Sequence, residues 1–548
     1  VTEDLLATLR ANDIAGAIGP LGKPADAALL DEWQRSGVRF VSNAPKLTAR
    51  YYQAVRELFD CIAPAADDTP ILHEGGIYHG CWLESTGTIN AELLSRFLPS
   101  ISGATFAAFA RHQRDDGLFP YKLTQGGPGF SQIQLVSPLA RSVWNHFCLN
   151  GRDTAWLRTQ YNAMSRYDAW IARRRDTLGT GAVEAFSTYD TGHDLSSRFW
   201  HVPDSPFGND PARCDPDNPI LPFIAPDLTA NIACQRHYLA RIADALGEDA
   251  AGWTDKADAS TEALFAQCFD AEDAFFYDRD RHGRPVRLQS DVLLRVLACE
   301  IGEGDLFREA LGRYLLNTRK FFAKFPLTSI ALDDPRFDPN FAQNSWAGPT
   351  NFLTLIRTAH AFEHHGHHVE LSWITQPTLA ALFEADRFPQ TLNPFTGAPG
   401  FTEKYSPSIL CLLDFIERLS GILPRPDGTV WFTSLLPKPV THKHETWNTA
   451  YARTIDGVTF ELVNTLVGGE IYRDRHLLCR FPAGTRMILD RSGGLLGVVG
   501  LTSRIVEGSV WFDGRELPLS LAPNDQWTWD GAALHPTGSP GLVLPQYS

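Results

Sequence analysis

Residues 227–246, DLTANIACQRHYLARIADAL, and the run that follows at 250–269, AAGWTDKADASTEALFAQCF, decide the fold class. In the first, Leu228, Ile232, Leu239, Ile242 and Leu246 recur at the three- to four-residue rhythm of one helix face, with Asp227 placed to cap the start and Gly247 to end it. Trp253, Ala257, Leu264 and Cys268 repeat that rhythm in the second. Helices joined by so short a connection lie antiparallel. Outward from this hairpin, the same periodicity predicts helices at about 49–61, 88–112, 133–149, 153–175, 288–301, 304–318, 349–365, 370–384 and 406–420. Together they make about eleven helices, mostly in pairs.

Two stretches rich in Gly, Pro, Asp and aromatic residues interrupt the rhythm, 183–226 and 322–349, and a third irregular stretch spans 388–407. Loops that long inside a compact domain are usually functional. After about residue 425 the texture changes to short β-prone runs such as Thr429 to Ser434, Val458 to Leu466 and Ile505 to Phe512, separated by Gly, Asp and Pro turns. This predicts a small antiparallel β-sandwich with a structural role. The expected organisation is an N-terminal extension over 1–49 packing on the helices, a helical domain over 50–424 and a β domain over 425–548.

The chain has 548 residues, 44% of them apolar and 21% charged, which excludes disorder and allows a sizeable core. Lys and Arg number 49 against 64 Asp and Glu, a net charge of −15, so nucleic acid and anionic membranes are poor partners. No apolar run reaches the length of a membrane span, and the start Val1-Thr2-Glu3-Asp4 does not read as a signal peptide. The nine cysteines are odd in number and include no CxxC pair, which fits buried reduced thiols rather than a disulfide framework or zinc ribbon. A cytoplasmic location is the expectation.

The richest chemistry lies in the first long loop. Over Glu184–Trp200 the sequence brings together Asp190, Asp194, Ser196, Ser197, Arg198, Phe199 and Trp200. Sugars are bound by such sets, because aromatic faces stack on C–H surfaces while carboxylates, hydroxyls and Arg bond the ring hydroxyls.

The segment Asp190-Thr-Gly192-His193-Asp194-Leu-Ser196-Ser197-Arg198-Phe199-Trp200 resembles the E-S-G-W-D-F-S-S-R-W signature of the trehalases, glycoside hydrolase family 37, and the E-x-G-x-D-N-S-P-R-F of family 63. It departs by Asp190 where the families have Glu, and by His193 where trehalases have Trp. Further pieces follow in the same order. Asn344-Ser-Trp346-Ala-Gly348-Pro349-Thr-Asn351 resembles the W-R-G-P-x-W stretch of family 63, without its Arg and second Trp. Phe401-Thr-Glu403-Lys404-Tyr405-Ser-Pro407 resembles its E-x-Y-x-P segment. Upstream, Tyr78-His-Gly-Cys-Trp82-Leu-Glu84 is similar to a W-x-W-D motif, Asp116-Gly-Leu-Phe-Pro120 to D-G-x-x-P, and Gln132 to Pro138 stands where the family has S-Q-P-P.

The resemblance implies an (α/α)6 barrel and an exo-acting, inverting glycoside hydrolase for a small α-linked substrate, trehalose-, glucosylglycerate- or mannosylglycerate-like. It places the general acid on Asp194 and the general base on Glu403. Trp82, Glu84, Asp116, Gln132, Asp190, His193, Arg198, Phe199, Trp200, Trp346, Asn351, Lys404 and Tyr405 are then the expected substrate contacts. No metal or cofactor is expected. The acid must hold a proton, so an enclosed site or a neighbouring negative charge is required, with Phe199 and Trp200 as candidate walls and Asp190 as the candidate charge. Arg198 would oppose this beside Asp194, and is expected on substrate or on Asp190. Rival readings are a barrel-type glycoside phosphorylase, an invertase-like β-fructosidase and, from another class, a sugar-binding protein without catalysis. A His-based sugar epimerase is further off.

Other features have plainer explanations. His364-His365-Gly366-His367-His368 reads as a helix C-terminus rather than a metal tract, and Asp278 and Asp280 as a solvated hairpin rather than a calcium loop. Gln125–Gly129 lacks the spacing and Lys of a phosphate loop, and the chain has no GxSxG elbow.

Overall fold

The computed structural model describes residues 2–340, 343, 346–439 and 447–547. The hairpin forms as its sequence dictates. Its first helix, Pro226–Leu246, stops at Gly247, which takes the left-handed conformation at φ 71°. Its second, Ala250–Cys268, is capped by Asp249 through the Gly252 N–H. One detail differs from expectation. Pro226 begins the helix, so Asp227 lies inside the first turn and its side chain is not the cap.

Burial separates the two partners. The first helix is buried on nearly every side, through Leu228, Asn231, Ile232, Gln235, Leu239 and Ile242 among others, whereas the second buries one stripe along Trp253, Ala257, Leu264 and Cys268. A helix buried all round lies inside, and one with a single apolar stripe lies outside.

The same pairing of helices runs through the chain, although the outer helix His368–Glu384 is itself mostly buried. The helices are α1 (Thr2–Ala11), α2 (Ile14–Ile18), α3 (Asp26–Arg35), α4 (Pro45–Asp60), α5 (Ala91–Leu94), α6 (Pro99–Arg111), α7 (Leu139–Leu149) and α8 (Thr154–Arg174). They continue as α9 (Pro226–Leu246), α10 (Ala250–Cys268), α11 (Val292–Leu297), α12 (Gly304–Ala310), α13 (Phe352–His364), α14 (His368–Glu384) and α15 (Ser406–Ser420). α5, α7, α9, α11, α13 and α15 touch one another in succession, and α15 returns to α5, so these six close on themselves. α4, α6, α8, α10 and α14 lie against members of this inner set, and Phe307 of α12 meets Phe362 of α13 edge to face at 5.3 Å. α15 is buried at all 15 of its positions.

Where one helix is expected over 88–112 there are two, α5 and α6. The ring of Pro99 crowds the residue before it out of the helical region, and Leu98 sits at φ −132°, ψ 72°.

The β region consists of two antiparallel sheets. One holds Ile422–Pro424, Thr429–Ser434, Thr485–Asp490, Leu495–Gly500, Gln526–Trp529 and Leu534–Gly538. The other holds Arg39–Ser42, Thr449–Ile455, Val458–Asn464, Gly468–Arg473, His476–Pro482, Val506–Phe512 and Arg515–Leu521. Phe432 and Phe460 meet between them at 5.4 Å. This corrects the expectation for residues 1–49. Trp33 does reach the helices, stacking on Phe97 at 5.1 Å, but Arg39–Ser42 is an edge strand of the second sheet, paired with Thr449–Ala452. Arg10 anchors α1 to the same sheet through Glu461 at 2.6 Å. Among the described residues no helix is long and apolar enough to cross a membrane.

Candidate active site

The first long loop is pinned at its root. Glu184–Ala185 pairs with Phe223–Ile224, Ile224 with Arg279, and Asp278–Arg279 with Pro285–Val286, which makes a small sheet across the base of the loop. Arg175, fully buried behind α8, donates to Pro211 O, Glu184 O and both oxygens of Asp190, the closest at 2.7 Å. Asp190 also accepts the backbone N–H groups of Ile133, Phe186 and Ser187. Its charge is thus neutralised by Arg175, and it sets the shape of the loop. The expected role as the charge that keeps Asp194 protonated does not fit this pairing, nor does the expected Arg198–Asp190 contact.

Arg198 is instead the centre of a second buried network. Its guanidinium donates to Asp227 at 2.6 and 2.8 Å, to Asp278 at 2.6 and 2.7 Å, and to His193 Nδ1 at 3.1 Å. Every terminal nitrogen is engaged and the residue is 2% exposed, which rules out the expected substrate contact. Asp278 accordingly belongs to the core and not to a solvated hairpin, while Asp280 closes its turn on Arg284. Burial opposes ionisation of Asp227, but the Arg198 and Arg295 guanidiniums hold its carboxyl well below the usual range. Arg295 of α11 also donates to Thr191 O at 2.7 Å, tying the loop to the inner helices.

These contacts fix the state of His193. Burial, then the Arg295 charge, lowers its pKa to about 4, so the ring is neutral near pH 7. Arg can only donate, so Nδ1 accepts and the proton resides on Nε2, 3.0 Å from Asp291 Oδ1. The ring lies 4.6 Å from Trp346, whose other neighbour is the Arg295 guanidinium at 4.7 Å. Asn344 and Ser345 of the same motif lie outside the described residues.

Beside this frame lies a group of carboxyls. Glu74 is buried, with Oε1 accepting Tyr405 Oη–H at 2.6 Å and Ser85 Oγ–H at 3.1 Å. Burial raises its pKa to about 7 against the pull of these donors. Glu84 is also buried, and burial, Glu74 and Asp194 push its carboxyl well up against the opposing Arg295 and Arg357 charges. Tyr78 is raised by burial and by the charges of Glu74, Asp194 and Glu84. Asp194 therefore lies within electrostatic reach of Tyr78 and Glu84. Tyr78 bonds Gln390 at 2.9 Å, and its ring meets Trp82 at 5.7 Å, Tyr405 at 5.9 Å and Phe401 at 6.5 Å.

The segment bearing Glu403 closes on the same strip. Thr402 and Lys404 both take left-handed conformations, φ 59° and 46°, as does Leu195 after Asp194 at 55°. Such strain in ordinary residues persists only where the surroundings impose it, and it concentrates at functional sites. Here Gly76 sits so close that a Cβ would meet Glu403 O at 2.3 Å, Ile77 N–H bonds Thr402 Oγ1, and Ser406 N–H bonds Glu74 O at 2.8 Å. Glu403 itself is exposed.

The remaining expected contacts divide. Trp82 is half-buried with the Lys122 ammonium 5.5 Å from its ring, and Gln132 is buried one residue before the Ile133 N–H that holds Asp190. Phe199 is buried against Phe223, but Trp200 is 59% exposed and is no enclosing wall. Four have other employment. Asp116 bonds Arg114 and Trp170, Asn351 caps α13 through Leu353 N–H, Lys404 pairs with Asp60 at 2.9 Å, and Tyr405 is fully buried on Glu74. Glu74, Asp291, Arg295 and Gln390 were not singled out from sequence. Each stands outside the motifs quoted from the sequence, and only the fold brings them together.

A search against curated proteins gives no match. Among solved structures, the family 63 mannosylglycerate hydrolase of Thermus thermophilus in complex with Tris superposes with a TM-score of 0.57 at 17% identity, over 66% of this chain and 98% of that one. The same enzyme in complex with glucose gives 0.55 at 18%, over 66% and 98%. The neutral trehalase of Saccharomyces cerevisiae gives 0.50 at 12%, over 64% of this chain and 74% of that one. These likenesses concern the fold. A family model covers residues 99–408, more than half of the chain and the whole of both long loops, and by it the protein belongs to the mannosylglycerate hydrolase MGH1-like glycoside hydrolase domain family.

Proposed function

We propose that the closed set of six inner and six outer helices is an (α/α)6 barrel, and that the protein is an exo-acting, inverting glycoside hydrolase. Its substrate is a small α-linked glycoside, of which a mannosylglycerate-like molecule is the best candidate. The observation that carries the reading is the convergence of the Asp194 loop and the Glu403 segment on the strip Glu74–Glu84. Tyr78 feels the Asp194 charge while its ring lies against Phe401, two residues before Glu403. The family assignment favours hydrolysis, and the one structural neighbour crystallised both with glucose and with D-glycerate favours a sugar joined to a small acid.

In this mechanism Asp194 gives its proton to the leaving oxygen and Glu403 activates a water on the opposite face of the sugar. Inversion needs the two carboxyl groups roughly 6.5 to 9.5 Å apart to admit that water. The surrounding residues act by position. Arg175–Asp190 and Arg198–Asp227 hold the acid's loop, neutral His193 spaces it from Trp346, and Gly76 holds the base's segment. The nine free cysteines, eight of them buried, fit a reducing compartment, and a cytoplasmic location is part of the proposal.

The test is product stereochemistry. Proton NMR during the first turnovers of an α-mannosyl- or α-glucosylglycerate should show the β-anomer first, with turnover independent of inorganic phosphate. An α-anomer as first product excludes the two-sided geometry, and phosphate dependence would make the enzyme a phosphorylase.

A further inference from the structure

A second cluster of chemistry-bearing side chains lies at the other end of the inner helices. His360 and His364 stand four residues apart on α13, on one face of the helix. Measured from Asn351 at the start of α13, they lie roughly 14 to 20 Å along the axis. Glu300, in the turn between α11 and α12, faces them: one ligand atom from each of the three lies within 4.8 Å of the others. His360 Nε2 is 2.8 Å from Glu300 Oε1, and the Tyr238 hydroxyl donates to the same oxygen at 2.7 Å.

We infer that Glu300, His360 and His364 form a binding site for a divalent transition-metal ion, separate from the candidate active site. Two imidazoles and one carboxylate suit Zn²⁺, Ni²⁺ or Cu²⁺, whereas Mg²⁺ and Ca²⁺ require oxygen-rich sets. Ligand atoms around such an ion stand about 2.0 to 2.2 Å from it, so the set must close slightly. The exposed His364 side chain is the member able to make that movement. Tyr238 orients the carboxylate from behind, as outer partners of metal ligands commonly do. A cavity of about 390 Å³ lined by His360 and Tyr238 adjoins the set on the His360 side. Arg141 and Arg241 line the same cavity and oppose added positive charge, which sets the affinity below that of a closed four-ligand site.

The neighbouring histidines do not form an alternative set. His365 stacks on Phe307 at 4.2 Å, His367 bonds Glu370 at 2.9 Å, and His368 lies 3.2 Å from an Arg486 nitrogen. An ion held by Glu300, His360 and His364 would tie the C-terminal half of α13 to the α11–α12 turn, and so stabilise the helical domain by mass action.

The experiment is a titration of the chelator-treated full chain with zinc chloride by calorimetry, and with cobalt chloride by visible absorption, alongside melting curves. The expected result is one ion per chain and a melting temperature that rises with zinc. In His364→Ala, at an exposed position, affinity should fall at least about tenfold and the thermal shift should vanish. In His365→Ala both should persist. Absence of uptake by the unaltered chain, undiminished binding in His364→Ala, or loss of binding in His365→Ala would each overturn the assignment.

Discussion

Glu84 occupies the space in which a side chain on Gly192 would have to begin: a Cβ there meets Glu84 Oε2 at 1.5 Å. Gly192 also stands at φ 64°, a conformation costly for any other residue at this position. It lies two residues before Asp194, so displacement of either neighbour moves the proposed acid. Gly192→Ala should lower kcat/KM by about 10²-fold, the effect of misplacing a reacting group by an ångström, with a stability loss of about 1 to 3 kcal/mol. Steady-state kinetics with urea unfolding would measure both, and a fully active Gly192→Ala would refute the coupling.

Asp190 and Arg175 form a wholly buried pair with the loop backbone bonded around it. Removing one partner of such a pair leaves the other charged and unpaired, at a cost of about 3 to 5 kcal/mol. Asp190→Ala should show that loss in urea denaturation. The same substitution at Glu384, exposed on Lys46, should change stability by less than about 1 kcal/mol.

The proposed chemical roles separate from these structural ones. Asp194→Asn and Glu403→Gln should each reduce turnover by at least about 10²-fold on a substrate with a poor leaving group, while circular dichroism and melting temperature stay near the unaltered chain's. Near-normal turnover in either variant would remove that residue from the mechanism.

Glu74 gives a pH signature. Its carboxyl, raised from 4.5 to about 7, binds a proton in the folded chain over a range where the unfolded chain has released it. Its contribution to stability is therefore complete below about pH 4.5 and is lost as the pH rises to about 7, by on the order of 3 kcal/mol. Glu74→Gln keeps an acceptor for Tyr405 and does not titrate. Unfolding free energies measured from pH 5 to 8 should fall more steeply for the unaltered chain than for this variant, and parallel curves would show that Glu74 is ionised throughout.

The helical periodicity of residues 227–269 was enough to identify paired helices and no more: the barrel was implied only by the family resemblance, and which partner lies inside is read from burial in the structure. Loop composition, also a local signal, marked the Asp194 segment. What sequence did not reveal depends on partners far along the chain. Arg198 reads as a sugar ligand until Asp227 and Asp278, 29 and 80 positions away, are seen to saturate it. Asn351 and Lys404 carry side chains suited to a hydroxyl-rich ligand, yet one finds a helix start and the other Asp60. Glu74 carries no pattern of its own, and its importance comes from burial, which is a property of the assembled helices.

The pairing of Arg39–Ser42 with Thr449–Ala452 has a consequence for biogenesis. A ribosome adding about 5 to 20 residues per second needs roughly 20 to 80 seconds to make the intervening chain. Through that interval the early strand has an open edge and no mate, while the helices between them can already assemble. The second sheet is therefore completed late, and an interrupted or slowed translation would leave that edge available to other nascent chains.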